Sequence, residues 1–155
     1  MIEDDFSAED ANEFNQALKF RDAGKSEVAI AILERLAKRK PRKASVLGML
    51  AGIQYGAGNF ADAARNARRV TELSTKSELA STILFLSLFH LGDATGAFRE
   101  AARFRSLKES VEYERILMDL ERDTLRDLQG KPNDPLLSEL MSRIREELRA
   151  RPVRQ

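Results

Sequence analysis

Gly58-Asn59-Phe60-Ala61-Asp62-Ala63 is the stretch whose reading decides the fold, because its first and last residues recur 34 positions away on either side. Gly24 and Ala29 precede it, and Gly92 and Ala97 come after it, at the same internal spacing. Each glycine closes an apolar stretch of about a dozen residues. A polar residue comes next (Lys25-Ser26, Asn59, Asp93), and then a second amphipathic stretch begins. A glycine at this place lets one helix stop in the left-handed conformation, which disfavours any residue with a Cβ, so that the chain reverses. The alanine then falls inside the returning helix, where a small side chain permits close approach of the pair. A period of this length built as helix, glycine turn and helix is the mark of a helical solenoid.

Working outward, the apolar spacing predicts eight helices and no strand. Ser7 and Asp10 have the spacing of a capping box and start a helix over about residues 8–22, with Phe14, Ala17, Leu18 and Phe20 apolar. Ser26 is expected to cap a helix over 27–39, which ends in the cations Lys38, Arg39 and Lys40 and stops at Pro41. The second unit runs from Ala44 to Leu73, with Asn59 and Asp62 again at capping-box spacing. The third runs from Ser77 to Arg105, and its first helix is apolar on nearly every side, so it must be covered on both faces. Ser106 and Glu109 are read as the start of a longer helix over 107–128. Asp134 and Pro135 then open the last helix, 135–150, with Pro152 just beyond it. The expected organisation is an acidic lead-in at 1–7, three helix pairs over 8–106, and capping helices with a tail over 107–155.

Composition narrows the function classes. The 155 residues carry 26 cations and 25 acids, a net charge of +1, and 43% of them are apolar. Balanced charge argues against nucleic acid as the main partner. With no cysteine there is no disulfide, thiol nucleophile or thiolate metal site. Met1-Ile2-Glu3-Asp4-Asp5 is acidic where a secretory signal is basic, and no run of 18 apolar residues occurs. The expectation is a cytoplasmic protein with no membrane segment. One histidine, His90, lies in the apolar sequence Phe89-His90-Leu91, and the acids Asp119, Glu121, Asp123 and Asp127 have no histidine spaced to complete a metal site. No phosphate-binding glycine loop or nucleophile elbow occurs. No enzyme activity, metal or cofactor is therefore expected.

These residues resemble the tetratricopeptide repeats. Unit one offers Ala17, Phe20, Gly24, Ala29, Leu33 and Pro41; unit two Leu47, Leu50, Ala51, Gly58, Phe60 and Ala63; unit three Leu84, Leu88, Gly92, Asp93 and Ala97. The likeness covers about residues 10–106. Departures are the absence of tryptophan, Glu13 and Ser81 at bulky positions, and Phe85 at a small one. The resemblance implies an all-α solenoid of antiparallel helix pairs, closed by a C-terminal helical hairpin, whose concave side holds a segment of another protein. The same register implies a groove formed by Phe14, Asn15, Leu18, Arg21 and Asp22; by Gly48, Met49, Gly52, Tyr55 and Gly56; and by Leu79, Thr82, Ile83, Leu86, Phe89 and His90. Members that clamp a terminal carboxylate carry polar or basic residues where this chain has Phe14, Leu18, Met49, Leu79 and Ile83, which argues against that adaptor class.

Gly48, Gly52 and Gly56 align on one helix face. A glycine inside a helix costs about 1 kcal/mol relative to alanine, so some close contact should offset the stripe. Three occupants are open: a neighbouring repeat, the chain's own last helix, or a helix of a partner. Arg35, Lys38, Arg39, Lys40, Arg42 and Lys43 crowd one corner, and Arg65, Arg68, Arg69, Arg99, Arg103 and Arg105 lie on later second helices. These bases form either a solvated outer face or a surface for nucleic acid or an acidic protein. The acidic N-terminal pole also admits a second copy as partner. The function so implied is protein binding in an apolar groove, as a small chaperone or adaptor similar in length and repeat number to bacterial secretion chaperones. The alternatives are an immunity-type inhibitor of a toxin and nucleic-acid binding through the basic corner.

Overall fold

The computed structural model describes residues 6–150, and these form eight α-helices: α1 (Ala8–Asp22), α2 (Ser26–Arg39), α3 (Ala44–Gly56), α4 (Phe60–Leu73), α5 (Glu78–His90), α6 (Ala94–Leu107), α7 (Val111–Gly130) and α8 (Pro135–Arg149). No strand occurs among the described residues. The acidic residues at 1–5 and the tail with Pro152 lie outside them.

The three glycine turns share one geometry. Gly24, Gly58 and Gly92 have φ of +77°, +81° and +81°. Each glycine N–H donates to the carbonyl three residues back, on Arg21, Tyr55 and Phe89, at 3.0, 3.0 and 3.1 Å. The next N–H, on Lys25, Asn59 and Asp93, reaches back to Phe20, Gln54 and Leu88 at 2.8, 2.8 and 2.9 Å. This pair of bonds satisfies the last carbonyls of the first helix in a Schellman motif. The residue that closes one helix also opens the next, since Ala29, Ala63 and Ala97 donate to the carbonyls of Lys25, Asn59 and Asp93 at 3.1, 3.0 and 3.0 Å. The five-residue interval from glycine to alanine is thus the length of one Schellman turn plus the first helical turn.

This fusion corrects two expected caps. Ser26 is the first residue of α2, because Lys25 already stands at the N-cap and has no side chain able to accept. Asn59 holds the N-cap of α4 but its side chain makes no capping bond, whereas Asp93 Oδ1 accepts from Gly96 N at 2.8 Å. The Ser7–Asp10 capping box forms as expected, and so does the Asp134 cap with Pro135 in the first turn. The start of α7 also differs. α6 continues to Leu107, and Ser110, accepting from Tyr113 N at 3.0 Å, caps α7 in place of Ser106 and Glu109. Ser106 donates instead to the Arg103 carbonyl within α6.

Packing obeys the repeat. Ala29, Ala63 and Ala97 are each 0% exposed and bring α1 onto α2, α3 onto α4 and α5 onto α6. α2 then packs on α3, and α4 on α5. Ala17 and Ala51, one period apart, are fully buried as well. Phe85 occupies the same register in α5 and is also fully buried, packing edge-on against Phe98 of α6 and Tyr113 of α7, with centroids 5.7 and 5.6 Å apart. A ring fits there because the next pair of helices is the α7–α8 hairpin, which meets α6 chiefly along α8 and does not repeat the α4-on-α5 contact. Tyr113, Leu117 and Ile144 join α5 and α6 in one core. Tyr113 Oη lies 2.7 Å from Ser81 Oγ and donates to the Ser81 carbonyl at 2.9 Å. The small Ser81, at a position bulky in the repeat pattern, makes room for that phenol. At the far end of α8, Arg105 bonds both the carboxylate and the backbone carbonyl of Glu147.

Candidate binding channel

An open channel of about 810 Å³ runs across α1, α3 and α5. Phe14 and Arg21 line it from α1, Gly48, Met49, Gly52, Ile53 and Gly56 from α3, and Leu79, Ala80 and Ile83 from α5. Leu79 is 66% exposed beside this space. Among the described residues Arg21 is the one charged residue in the lining. Its Nη1 donates to the Met49 thioether sulfur at 3.1 Å, while Nε and Nη2 both meet Asp22 Oδ1 at 3.0 and 2.9 Å.

The glycine stripe borders this space with bare backbone. A Cβ built on Gly48 or Gly56 would meet nothing within 4 Å, and one on Gly52 would meet only Ile83 Cδ1, at 3.8 Å. Tight packing of neighbouring repeats therefore does not account for the stripe. Nor does the chain's last helix lie on it: no residue of α7 or α8 lines the channel, and Ile144 and Leu148 of α8 pack into the core of α5 and α6.

Of the residues implied by the register, Phe14, Arg21, Met49, Gly52, Gly56 and Ile83 come together along this one space. Leu18, Tyr55, Leu86, Phe89 and His90 do not line it. Leu86 packs against the α5–α6 core, and Phe89 borders a separate hollow of about 360 Å³ with Leu136, Leu140 and Arg143 of α8. Tyr55 and His90 meet at the glycine-turn end of the molecule. There the imidazole stacks on Phe60 with centroids 4.4 Å apart, and Nε2 lies 3.4 Å from Tyr55 Oη. Partial burial raises the Tyr55 phenol above its ordinary pKa. Ser26, Ala44, Ser45, Val70, Ser74 and Ser77 also face the channel. The register misses them because they sit at the starts of α2 and α3, late in α4 and in the α4–α5 turn. The small residues Ala44-Ser45, Ser74 and Ser77 were the available signal.

Several of the basic residues are engaged by partners within the chain. Arg39 is bound to Asp10 and Glu13, with Nη2 3.2 and 2.5 Å from their oxygens. Burial acts to raise the Asp10 carboxyl, but hydrogen bonds from Arg39 and Ser7 outweigh it and hold the pKa below the ordinary value. Arg65 pairs with Asp62 at 2.6 Å, Arg69 donates to the Pro41 carbonyl at 3.1 Å, and Lys43 lies over the Phe6 ring. Lys38, Arg65 and Arg69 border a mixed hollow with Glu34 and Asp62. Arg68 is exposed, and Lys40 and Arg42 belong to the α2–α3 turn. Among the described residues no group of His, Asp and Glu could hold a metal ion, and no helix is long and apolar enough to cross a membrane.

No protein-family model and no curated protein matches this chain. Solved structures do. The crystal structure of MamA superposes with a TM-score of 0.60 at 16% identity, covering 87% of this chain and 75% of MamA. The structure of Naa15/Naa10 bound to HypK-THB aligns at 17% identity with a TM-score of 0.48, over 88% of this chain and 22% of the other. The fold assignment rests on the helix order and the MamA likeness: an all-α, tetratricopeptide-like solenoid.

Proposed function

We propose that this chain is a protein-interaction module of the tetratricopeptide family that holds an apolar helix of a protein partner in its concave channel, as a small cytoplasmic chaperone or adaptor and not as an enzyme. The observation that carries this reading is the open channel itself, walled by Phe14, Met49, Leu79 and Ile83 and floored by the bare backbone of Gly48, Gly52 and Gly56. Glycines at Gly48 and Gly52 cost the free protein roughly 2 kcal/mol of helix stability. Among the described residues no contact offsets this. A helix laid on the stripe could approach closely, because no Cβ stands in its way, and would cover the exposed Leu79. Covering apolar surface contributes about 25 cal/mol per Å², so even about 300 Å² of it outweighs the glycine cost several-fold.

The test is site-directed photocrosslinking in native lysate, with the crosslinker placed at Met49 and, separately, at Arg68 on the outer face. The expected result is one dominant protein adduct at Met49 that Leu79→Glu abolishes, with no matching adduct at Arg68. Adducts confined to Arg68 would transfer the function to the outer face, where an immunity-type inhibitor would act. Nucleic acid captured there, with affinity falling steeply in salt, would instead support the basic-surface alternative.

A further inference from the structure

We infer that the helix accepted by the channel carries an aspartate or glutamate on its apolar face, placed to meet the guanidinium of Arg21. The inference rests on the channel being the binding site and specifies the chemistry of its occupant. Among the described residues Arg21 is the single charge in a lining otherwise built of apolar side chains, glycines and serines, and no acid lines the channel with it. Its Nε and Nη2 share one oxygen of Asp22, which is 68% exposed, and a pair so open to water contributes little. The remaining nitrogen, Nη1, donates to the Met49 thioether, its acceptor within the described protein. A thioether is a weak acceptor, whereas a guanidinium matches a carboxylate with two parallel bonds. The donor is thus held in the apolar wall by a contact that a carboxylate would readily displace.

The geometry also selects against other occupants. An apolar segment without an acid would cover Arg21 while leaving Nη1 on sulfur, and a basic segment would place two cations together in a site from which water is being excluded.

The test uses the full chain and a library of acetylated, amidated peptides of about 15 residues patterned as amphipathic helices, the length at which isolated helices begin to hold. Amidation leaves side chains as the only source of carboxylate. The expected result is that peptides retained by the protein share one acidic residue within an apolar face. Replacing that acid by its amide, or Arg21 by glutamine, should weaken binding roughly ten- to hundredfold, the range for a hydrogen bond to a charged group. Arg21→Glu should shift the selected residue from acid to lysine or arginine. Peptides that lose binding in Leu79→Glu yet carry no common acid, or that ignore Arg21→Glu, would overturn this inference and leave the channel standing. No retained peptide, or peptides indifferent to Leu79→Glu, would sink the channel reading and this inference with it. Self-association of the chain that Leu79→Glu abolishes would replace the foreign helix by a second copy, and so refute it.

Discussion

Two kinds of glycine, distinguished by backbone and surroundings, should respond to alanine in opposite directions. At Gly58, with φ of +81°, a Cβ clashes with the following carbonyl, so Gly58→Ala should lower unfolding stability by about 1–2 kcal/mol. Gly48 is helical and a Cβ there meets nothing within 4 Å, so Gly48→Ala should raise stability by about 1 kcal/mol. Paired urea denaturation curves check both signs, and equal losses would mean that Gly48 is packed after all. Asp10 gives a pH-dependent prediction. Its folded pKa is depressed below 3.8, so its contribution is present above the unfolded value and is lost as pH falls through the folded one. Asp10→Asn should therefore be less stable than the parent at pH 7, and the gap should close as pH drops below about 4. The 34-residue glycines and the Ser7–Asp10 box were legible in the sequence because both are local: each is fixed by bonds within one turn of chain. The Ser26 cap was misread because the chain spends one residue, Lys25, on two helices at once.

Among the elements, α8 packs less extensively on its neighbours than α3 or α4 does, and polar contacts help fix how the hairpin sits. The Tyr113 hydroxyl is buried between α5 and α7 with Ser81, and burial pushes its pKa well above the ordinary tyrosine value. Tyr113→Phe leaves the Ser81 hydroxyl without that partner and should cost about 1 kcal/mol or more. With the folded pKa raised, the parent loses stability as pH rises past the unfolded value near about 10, and Tyr113→Phe should lose that part of the alkaline decline. Thermal melts at about pH 8 and pH 11, on either side of that value, read the difference. Arg105, with a side chain 11% exposed, is bound to Glu147, whose own is 14% exposed, and that pair fastens the end of α8. Arg105→Ala should cost about 2 kcal/mol and accelerate amide exchange in α8 far more than in α1 and α2. Uniform acceleration would mean the hairpin unfolds with the whole array. Here the sequence was only partly readable. Ser81 and Phe85 stood out as departures from the repeat, but their reason, a tyrosine arriving from α7, is a contact 32 residues along the chain.

For the whole molecule, stacked pairs make stability a sum of neighbour contacts, and the last apolar face needs a cover. Tyr113, Leu117 and Ile144 provide it over Phe85 and Phe104. A chain ending after Leu107 should bind a hydrophobic dye and unfold at lower urea than the full chain; an unchanged midpoint would show that the hairpin contributes nothing. The concave side stays open because the hairpin leans on α5 and α6 and not across α1, α3 and α5.

The eight helices of the described residues and their pairing followed from the sequence alone, since periodicity, glycine turns and small-residue positions act over one or two turns of chain. Only the tertiary structure decided which register positions share a channel, that Phe89 belongs to α8 and His90 to Phe60, and that Arg21 rests on a thioether. Those outcomes depend on how successive pairs are rotated and on where the last hairpin comes to rest. Both are set by side chains meeting across 28 to 48 residues of sequence, a distance over which no local pattern carries information.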